Sequence, residues 1–223
     1  MTGNLRIIVE SVLLVIAALL PVINPFGGAP MFLAMTADVT AHVRAEIARK
    51  IAINAFFLLV ASLFVGTYVL EFFGLSVPIV QVAGGIVVCA ASWDLLRAES
   101  TIKGVAIETE PADIATRAFY PLTLPLTVGP GTISIAITIG AHHPQSVRSF
   151  LVNGTADVIG AALMAGTIFV CYRYADVVLR KLGQTGIGVL IRLSAFIMLC
   201  IGVRILWTGA AALLSALPET RPG

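Results

Sequence analysis

The sequence predicts an all-α membrane protein, with six transmembrane helices arranged as two inverted three-helix repeats and a broken helix at the first span of each. First, 58% of the 223 residues are hydrophobic and only 12% are charged, whereas soluble domains contain about 25% charged residues. Second, the mean hydropathy is +0.99. Third, two of the apolar stretches are interrupted by clusters of proline and glycine. These observations place the chain in the bilayer.

The length sets the number of spans. About 20 apolar residues cross a hydrocarbon core of about 30 Å, so the chain has room for roughly six spans and for no additional soluble domain. We expect one integral membrane domain (1–223), with a first repeat (1–97), a connecting loop (98–117) and a second repeat (118–223). The six apolar segments lie near residues 5–35, 51–73, 79–96, 118–139, 150–172 and 187–214.

The first span is interrupted by LPVINPFGGAP, at Leu20–Pro30. Proline removes a backbone donor and clashes with the carbonyl four residues earlier, and glycine adds backbone freedom. In hydrocarbon the freed backbone groups must be paired, so such a break survives only where it faces protein or a wet cavity. We therefore expect an unwound stretch that helps to form a binding site.

The fourth span contains a second break, PLTLPLTVGPGTIS at Pro121–Ser134. Asn24-Pro25 precedes Gly129-Pro130 by about a hundred residues, roughly half of the chain. Interruptions at corresponding places in two halves point to the binding site of a transporter. The alternative is a pair of proline kinks that only shape the helix bundle.

The two halves also resemble each other in sequence. VQVAGGIVVCAASWDLL of the third span aligns with IRLSAFIMLCIGVRILW of the sixth, so that Cys89 matches Cys200 and Gln81 matches Arg192. Because each half has three spans, the second half enters the membrane upside down, as in inverted-repeat transporters.

Loop charge predicts the orientation. The loops after spans one, three and five carry nine basic residues, and the opposite side carries Arg6, Arg148 and Arg221. By the positive-inside rule both termini face outward across the cell inner membrane. The basic residues form no cluster that would bind nucleic acid. The nine are Arg44, Arg49, Lys50, Arg97, Lys103, Arg117, Arg173, Arg180 and Lys181.

Ionisable residues inside a span are functional candidates, because a charge in the bilayer is energetically costly. Asp157 and Arg192 are the two to weigh, either as functional residues or as a structural ion pair. Asp94 and Arg204 lie nearer the ends of their spans, so we interpret them as anchors.

The breaks supply groups that can bind a small solute. The half-helix after each break directs backbone amides at the gap with partial positive charge, at Gly27–Ala29 and at Gly131–Ile133. Such amides suit a carboxylate, as in a zwitterionic amino acid. The candidate substrate-binding residues are Asn24, Pro25, Gly27, Gly28, Thr127, Gly129, Pro130, Gly131, Thr132, Ser134 and Arg192.

Enzyme chemistry is not expected. His42, His142 and His143 lie in loops, and no HExxH motif or phosphate-binding loop is present. The adjacent pair His142-His143 suggests a metal, but nothing nearby in the sequence completes a ligand set, which favours a solvated loop. We expect no catalytic residue, no metal and no bound cofactor, and a coupling ion such as a proton or sodium stays open.

NPFGGAPMFLAMT (Asn24–Thr36) and PLTLPLTVGPGTIS resemble the two signature stretches of the MarC family of six-span bacterial inner-membrane proteins. LGQTGIGVLIRLSAFIMLCIGVRIL is similar to that family's entry into span six. The resemblance implies a multi-pass membrane protein, and some members are described as small neutral amino-acid transporters. Relatives often have arginine where Gln81 stands here. The positions matching the family are Asn24, Pro25, Gly27, Gly129, Pro130, Gly131 and Arg192.

These observations lead to secondary transport of small neutral amino acids, or of similar small zwitterionic solutes, across the bacterial inner membrane. The alternatives are a channel or exporter for another small solute, and a non-transporting membrane scaffold. The expected partners are the lipid bilayer and a small-molecule solute, and a homo-oligomer stays open.

Overall fold

The computed structural model describes residues 2–97, 114–142 and 147–216, which are helical with short turns and contain no strand. An irregular helical stretch at Ala118–Thr127, here called the Pro-rich segment, leads into α6. The regular helices are α1 (Thr2–Ile23), α2 (Pro25–Met35), α3 (Ala41–Phe72), α4 (Val77–Arg97), α5 (Ile114–Arg117), α6 (Pro130–Ala141), α7 (Val147–Arg173) and α8 (Ala175–Ser215).

Within the described ranges, five helical segments are long and apolar enough to cross a membrane. A sixth span is formed if the Pro-rich segment and α6 are taken together, with a bend of 69° between them. This confirms the predicted multi-span α-helical class. The five segments are Arg6–Ile23, Ala41–Phe72, Val77–Arg97, Val152–Arg173 and Thr185–Ser215.

The break in the first span is narrower than the predicted one. Helix α1 continues through Pro21 to Ile23, and only Asn24 leaves the helical conformation, with φ 45° and ψ 57°. Asparagine is one of the few residues that adopt this left-handed conformation readily. Pro25 occupies the first position of α2, where a missing N–H is tolerated. A broken helix is therefore confirmed, but one residue makes the break.

The second break is longer. Tyr120 and Leu124 adopt extended backbone angles within the Pro-rich segment. Two threonine side chains in this segment donate to backbone carbonyls, the Thr123 hydroxyl to Ala118 O (2.7 Å) and the Thr127 hydroxyl to Leu122 O (2.7 Å). These bonds help to satisfy the backbone carbonyls, which must be paired inside a membrane.

The helices pack in a reciprocal pattern. The first span (α1 and α2) lies against α7 and α8, the fourth span lies against α3 and α4, and α3 and α4 also pack against α7 and α8 respectively. Helices α4 and α8 are antiparallel, since Gly85 faces Leu206 and the earlier Pro78 faces the later Gly209. Inverted repeats require this arrangement, although the repeat boundaries stay a prediction.

Two arginines, Arg117 at the end of α5 and Arg44 in α3, form hydrogen bonds at the end of the first span. Arg117 pairs with Asp38 through two hydrogen bonds of 2.7 and 2.9 Å and donates a third to Met35 O at 2.6 Å. Arg44 donates to Thr36 O at 2.8 Å. Cations are favoured at a helix C-terminus, here that of α2. Asp38 and Arg117 therefore lie on one side of the bundle, as the loop-charge analysis expects.

Candidate functional site

The two breaks open onto one cavity of about 400 Å³. The first span, the fourth span, α4 and α8 all contribute to its wall. The lining residues are Val22, Ile23, Asn24, Gly27, Gly28, Met31, Val87, Val88, Ala91, Asp94, Leu95, Pro125, Leu126, Thr127, Gly129, Pro130, Gly131, Thr132 and Met198.

The first break binds its own amides. The Asn24 side-chain oxygen accepts from the Gly27 N–H at 3.1 Å, and the Asn24 carbonyl accepts from the Gly28 N–H at 2.9 Å. This is an N-cap, in which an asparagine side chain satisfies a free donor at the start of a helix. The expectation that the Gly27 and Gly28 amides are available to a solute was therefore wrong.

The second break leaves its amides open. Gly129, the residue before α6, has no side chain to act as a cap, and Pro130 has no N–H. The Ile133 N–H donates to Gly129 O at 3.1 Å. In the part of the chain that the structure describes, no acceptor meets the amides of Gly131 and Thr132. They are the free donors of a helix N-terminus, which favour an anion.

Thr132 adds a side-chain donor at the same place. The residue is only 2% exposed and lines the cavity, and its hydroxyl has no hydrogen-bond partner among the described residues. The start of α6 thus places two backbone amides and the Thr132 side chain at the cavity.

Thr127 on the cavity wall contacts Tyr172, which in turn contacts Phe32, although neither aromatic residue is among the lining residues. Because the Thr127 hydroxyl donates to Leu122 O, it accepts from the Tyr172 hydroxyl, 2.9 Å away. The Tyr172 ring stacks on Phe32, with ring centroids 4.6 Å apart. Gly28 lies against the same hydroxyl, where a Cβ atom would come within 2.8 Å of it.

Eight of the eleven candidate site residues line the cavity, and three do not. Pro25 is buried beside the first break. Ser134 donates to Val80 O at 2.9 Å and packs against Gly84, which joins α6 to α4. Arg192 lies on an exposed face of α8. The eight are Asn24, Gly27, Gly28, Thr127, Gly129, Pro130, Gly131 and Thr132.

The polar residues deeper in the spans lie away from this cavity. Gln81 is 9% exposed, and its side-chain amide donates to the Thr138 hydroxyl at 3.3 Å. Asp157 is 2% exposed within α7. Neither lines the cavity, nor does Arg192, so no arginine contributes to its described wall.

Asp94 is the residue that sequence reasoning missed. Its place near the end of a span suggested an anchor, but the structure places it on the cavity wall. Val87, Ala91 and Asp94 are spaced four and three residues apart, which puts them on one face of α4. That spacing, read from the Gly84-Gly85 pair onward, was the available signal.

The remaining candidates for a binding site are the histidine pair after α6 and a second groove. No group of three metal-binding side chains occurs among the described residues, and His142 Nδ1 lies 2.7 Å from Thr138 O at the end of α6. His143 lies outside the described residues. A groove of about 490 Å³ between α3 and α7 is lined by apolar side chains, with Arg49 as its charged member. It lacks the polar groups that orient a solute.

The comparisons with known proteins agree with this architecture. The family described as MarC family integral membrane protein matches residues 9–214. The Bacillus subtilis membrane protein YvbG is 32% identical, over 91% of this chain and 95% of its own length. The Salmonella typhimurium inner membrane protein MarC is 26% identical, over 89% and 93%. No solved structure matches the chain. From the family match and the YvbG relationship, this chain belongs to the MarC family of integral membrane proteins.

Proposed function

We propose that the protein is a secondary transporter of small neutral amino acids or similar zwitterionic solutes across the inner membrane. The observation that carries the proposal is the single cavity of about 400 Å³ onto which both helix breaks open. Ligand pockets for small molecules span about 300 to 1,000 Å³. A broken helix in each half, meeting at one site, is the arrangement of inverted-repeat transporters.

The wall chemistry supports a small carboxylate-bearing solute. The Gly131 and Thr132 amides and the Thr132 side chain lie together at the start of α6, where the helix dipole favours negative charge. Val87, Val88 and other apolar side chains form much of the remaining wall. An apolar wall of this kind suits a short aliphatic side chain and gives no partner to a second carboxylate.

The test is transport by the purified protein in proteoliposomes with labelled glycine, alanine and serine. We expect saturable uptake and counterflow with the natural chain. Gly131→Ala should abolish both, because its Cβ would overlap the Val88 side chain and force the start of α6 to move. Gly166→Ala is the matched control, since nothing lies within 4 Å of a Cβ added there.

Each outcome has a definite meaning. Absence of protein-dependent flux for all three amino acids would reject the proposal. Flux that never saturates and shows no counterflow would replace the transporter with a channel. Unchanged transport by Gly131→Ala would move the binding position away from the start of α6.

A further inference from the structure

Asp94 is the one ionisable side chain among the described residues that line the cavity. The other lining positions are apolar residues, glycines, prolines, Asn24 and two threonines. We propose that the Asp94 carboxylate binds the ammonium group of the transported solute, while the start of α6 binds its carboxylate. This assignment rests on the proposed transport function and names the group that would select zwitterions.

Helix geometry makes the separation of the two positions compatible with a single amino acid. Val88 packs against Gly131 at the start of α6. Asp94 follows six residues later on α4, a rise of about 9 Å. Helical side chains lean toward the helix N-terminus, which brings the Asp94 carboxylate closer to the level of Val88. A zwitterion that is hydrogen-bonded at both ends spans about 8 Å in all, with about 2.9 Å for each bond.

The carboxylate is also available. Side-chain hydrogen bonds and ion pairs within the described residues leave Asp94 unengaged, and its side chain is exposed. Arg97, the basic residue nearest to it in sequence, lies over the Trp93 ring at 5.8 Å. Among the described lining residues, the Asp94 carboxylate is the one negatively charged group that a cation entering the cavity would meet.

Two cations have the required chemistry, namely the ammonium group of the solute and a coupling ion such as sodium. The anion position at a matching distance favours the ammonium group, because one molecule then satisfies both ends of the cavity. The experiment has to separate these two sources of positive charge.

The test is equilibrium binding to the purified chain of three probes: L-alanine, propionate, which lacks the ammonium group, and ethylamine, which lacks the carboxylate. Asp94→Asn should weaken alanine binding by about 10- to 100-fold, the range for one charged hydrogen bond. It should leave propionate binding unchanged and abolish ethylamine binding. Asp176→Asn is the matched control, since Asp176 pairs with Arg180 at 2.6 Å, away from the cavity.

The outcomes separate the inference from the proposed function. If the natural chain binds no alanine, the proposed function fails. If it binds alanine and Asp94→Asn binds it equally well, the ammonium assignment is overturned, and loss of sodium or proton dependence in that variant would make Asp94 a coupling-ion residue. If Asp94→Asn does not fold, Asp94→Glu decides: a shifted carboxylate should weaken alanine binding several-fold without affecting propionate, and unchanged alanine binding overturns the assignment.

Discussion

The Tyr172 hydroxyl donates a hydrogen bond of 2.9 Å to the Thr127 hydroxyl, which itself donates to Leu122 O at 2.7 Å. This chain of bonds ties α7 to the second helix break. The same Tyr172 ring stacks on Phe32, at 4.6 Å between centroids, on the half-helix that follows the first break. One buried tyrosine therefore contacts both broken spans.

Replacing Thr127 should be more destabilising than replacing Tyr172. Thr127→Val removes two hydrogen bonds: Leu122 O loses its side-chain donor, and the Tyr172 hydroxyl is left without a partner, which costs about 1 to 3 kcal/mol for a buried group. Tyr172→Phe removes one donor and leaves Thr127 bonded to Leu122, a loss of about 1 kcal/mol. Thermal unfolding of the purified variants should show this order.

Thr167→Val is the control for the loss of a threonine hydroxyl inside a helix. Thr167 donates to Leu163 O at 2.8 Å at a more exposed position of α7, so we expect a smaller change in midpoint temperature. Equal destabilisation by Thr127→Val and Tyr172→Phe would show that the Thr127–Leu122 bond does not stabilise the break.

Substitutions of Asn24 should differ in stability for two reasons, the left-handed backbone at this position and the loss of the N-cap. The left-handed backbone angles at this position, φ 45° and ψ 57°, would cost alanine about 1 to 2 kcal/mol, because alanine has no polar side chain that can bond locally. Loss of the bond to the Gly27 amide costs about 1 kcal/mol more. Asn24→Asp should keep most of the stability, Asn24→Gly should keep the backbone but lose the cap, and Asn24→Ala should be the least stable. Thermal unfolding of the three purified variants measures the ranking.

Alanine uptake by the three variants should fall in the same order as their stability. If the loss of uptake by Asn24→Gly is no larger than its loss of folded protein explains, Asn24 affects transport through the shape of the break. Greater uptake by Asn24→Ala than by Asn24→Gly would contradict the left-handed backbone as the cause of the break.

The sequence predicted the fold more completely than the site. Apolar segment lengths located the spans, and the prolines located both breaks, because each of these signals is local. The hydrogen bond from the Gly27 amide to Asn24 was not foreseen, since it depends on a left-handed backbone at one residue. The pattern of proline and glycine near Asn24 is equally compatible with a wider unwound stretch.

The position of Asp94 depended on how helices pack. Its spacing from Val87 and Ala91 indicates a shared face of α4, but only the packing of α4 against α6 through Gly84 and Gly131 places that face on the cavity. Arg192 illustrates the converse. Its place within an apolar span made it a candidate, yet it lies on an exposed face of α8, so depth in a span does not specify which face a residue occupies.

The ion pair between Asp38 and Arg117 should make stability depend on pH in the acid range. The hydrogen bond from Arg117 lowers the pKa of Asp38 from its ordinary value of 3.8. Because the folded pKa lies below the unfolded one, the stabilisation is complete above about pH 4 and is lost as the pH falls through the folded value. The Asp38 side chain is 60% exposed and therefore screened by solvent, so we expect about 0.5 kcal/mol at neutral pH.

The measurement compares the thermal unfolding of the natural chain and Asp38→Asn from pH 3 to pH 7. The difference should be present at neutral pH, shrink with added salt and disappear in acid. Glu10→Gln is the control, because its pair with Arg6 is more exposed and lies in the first half of α1, far along the chain from Asp38. A difference that persists in acid would show that the Asp38 side chain acts through packing.

Gly85 and Gly166 should respond in opposite directions to the same substitution. A Cβ at Gly85 would lie 2.6 Å from the Leu206 backbone nitrogen and 2.8 Å from its Cα, and no side-chain rotation relieves a contact with backbone. Gly85→Ala should therefore separate α4 from α8 and destabilise the protein by about 1 to 3 kcal/mol. Small residues that allow close helix contact are the main means of association in membranes.

At Gly166 nothing lies within 4 Å of an added Cβ, so Gly166→Ala should be neutral or stabilising by up to about 1 kcal/mol through helix propensity. Unfolding of both variants in the same detergent measures the difference. If Gly85→Ala were as stable as Gly166→Ala, the close packing of α4 against α8 would be wrong, and with it the wall that places Asp94 on the cavity.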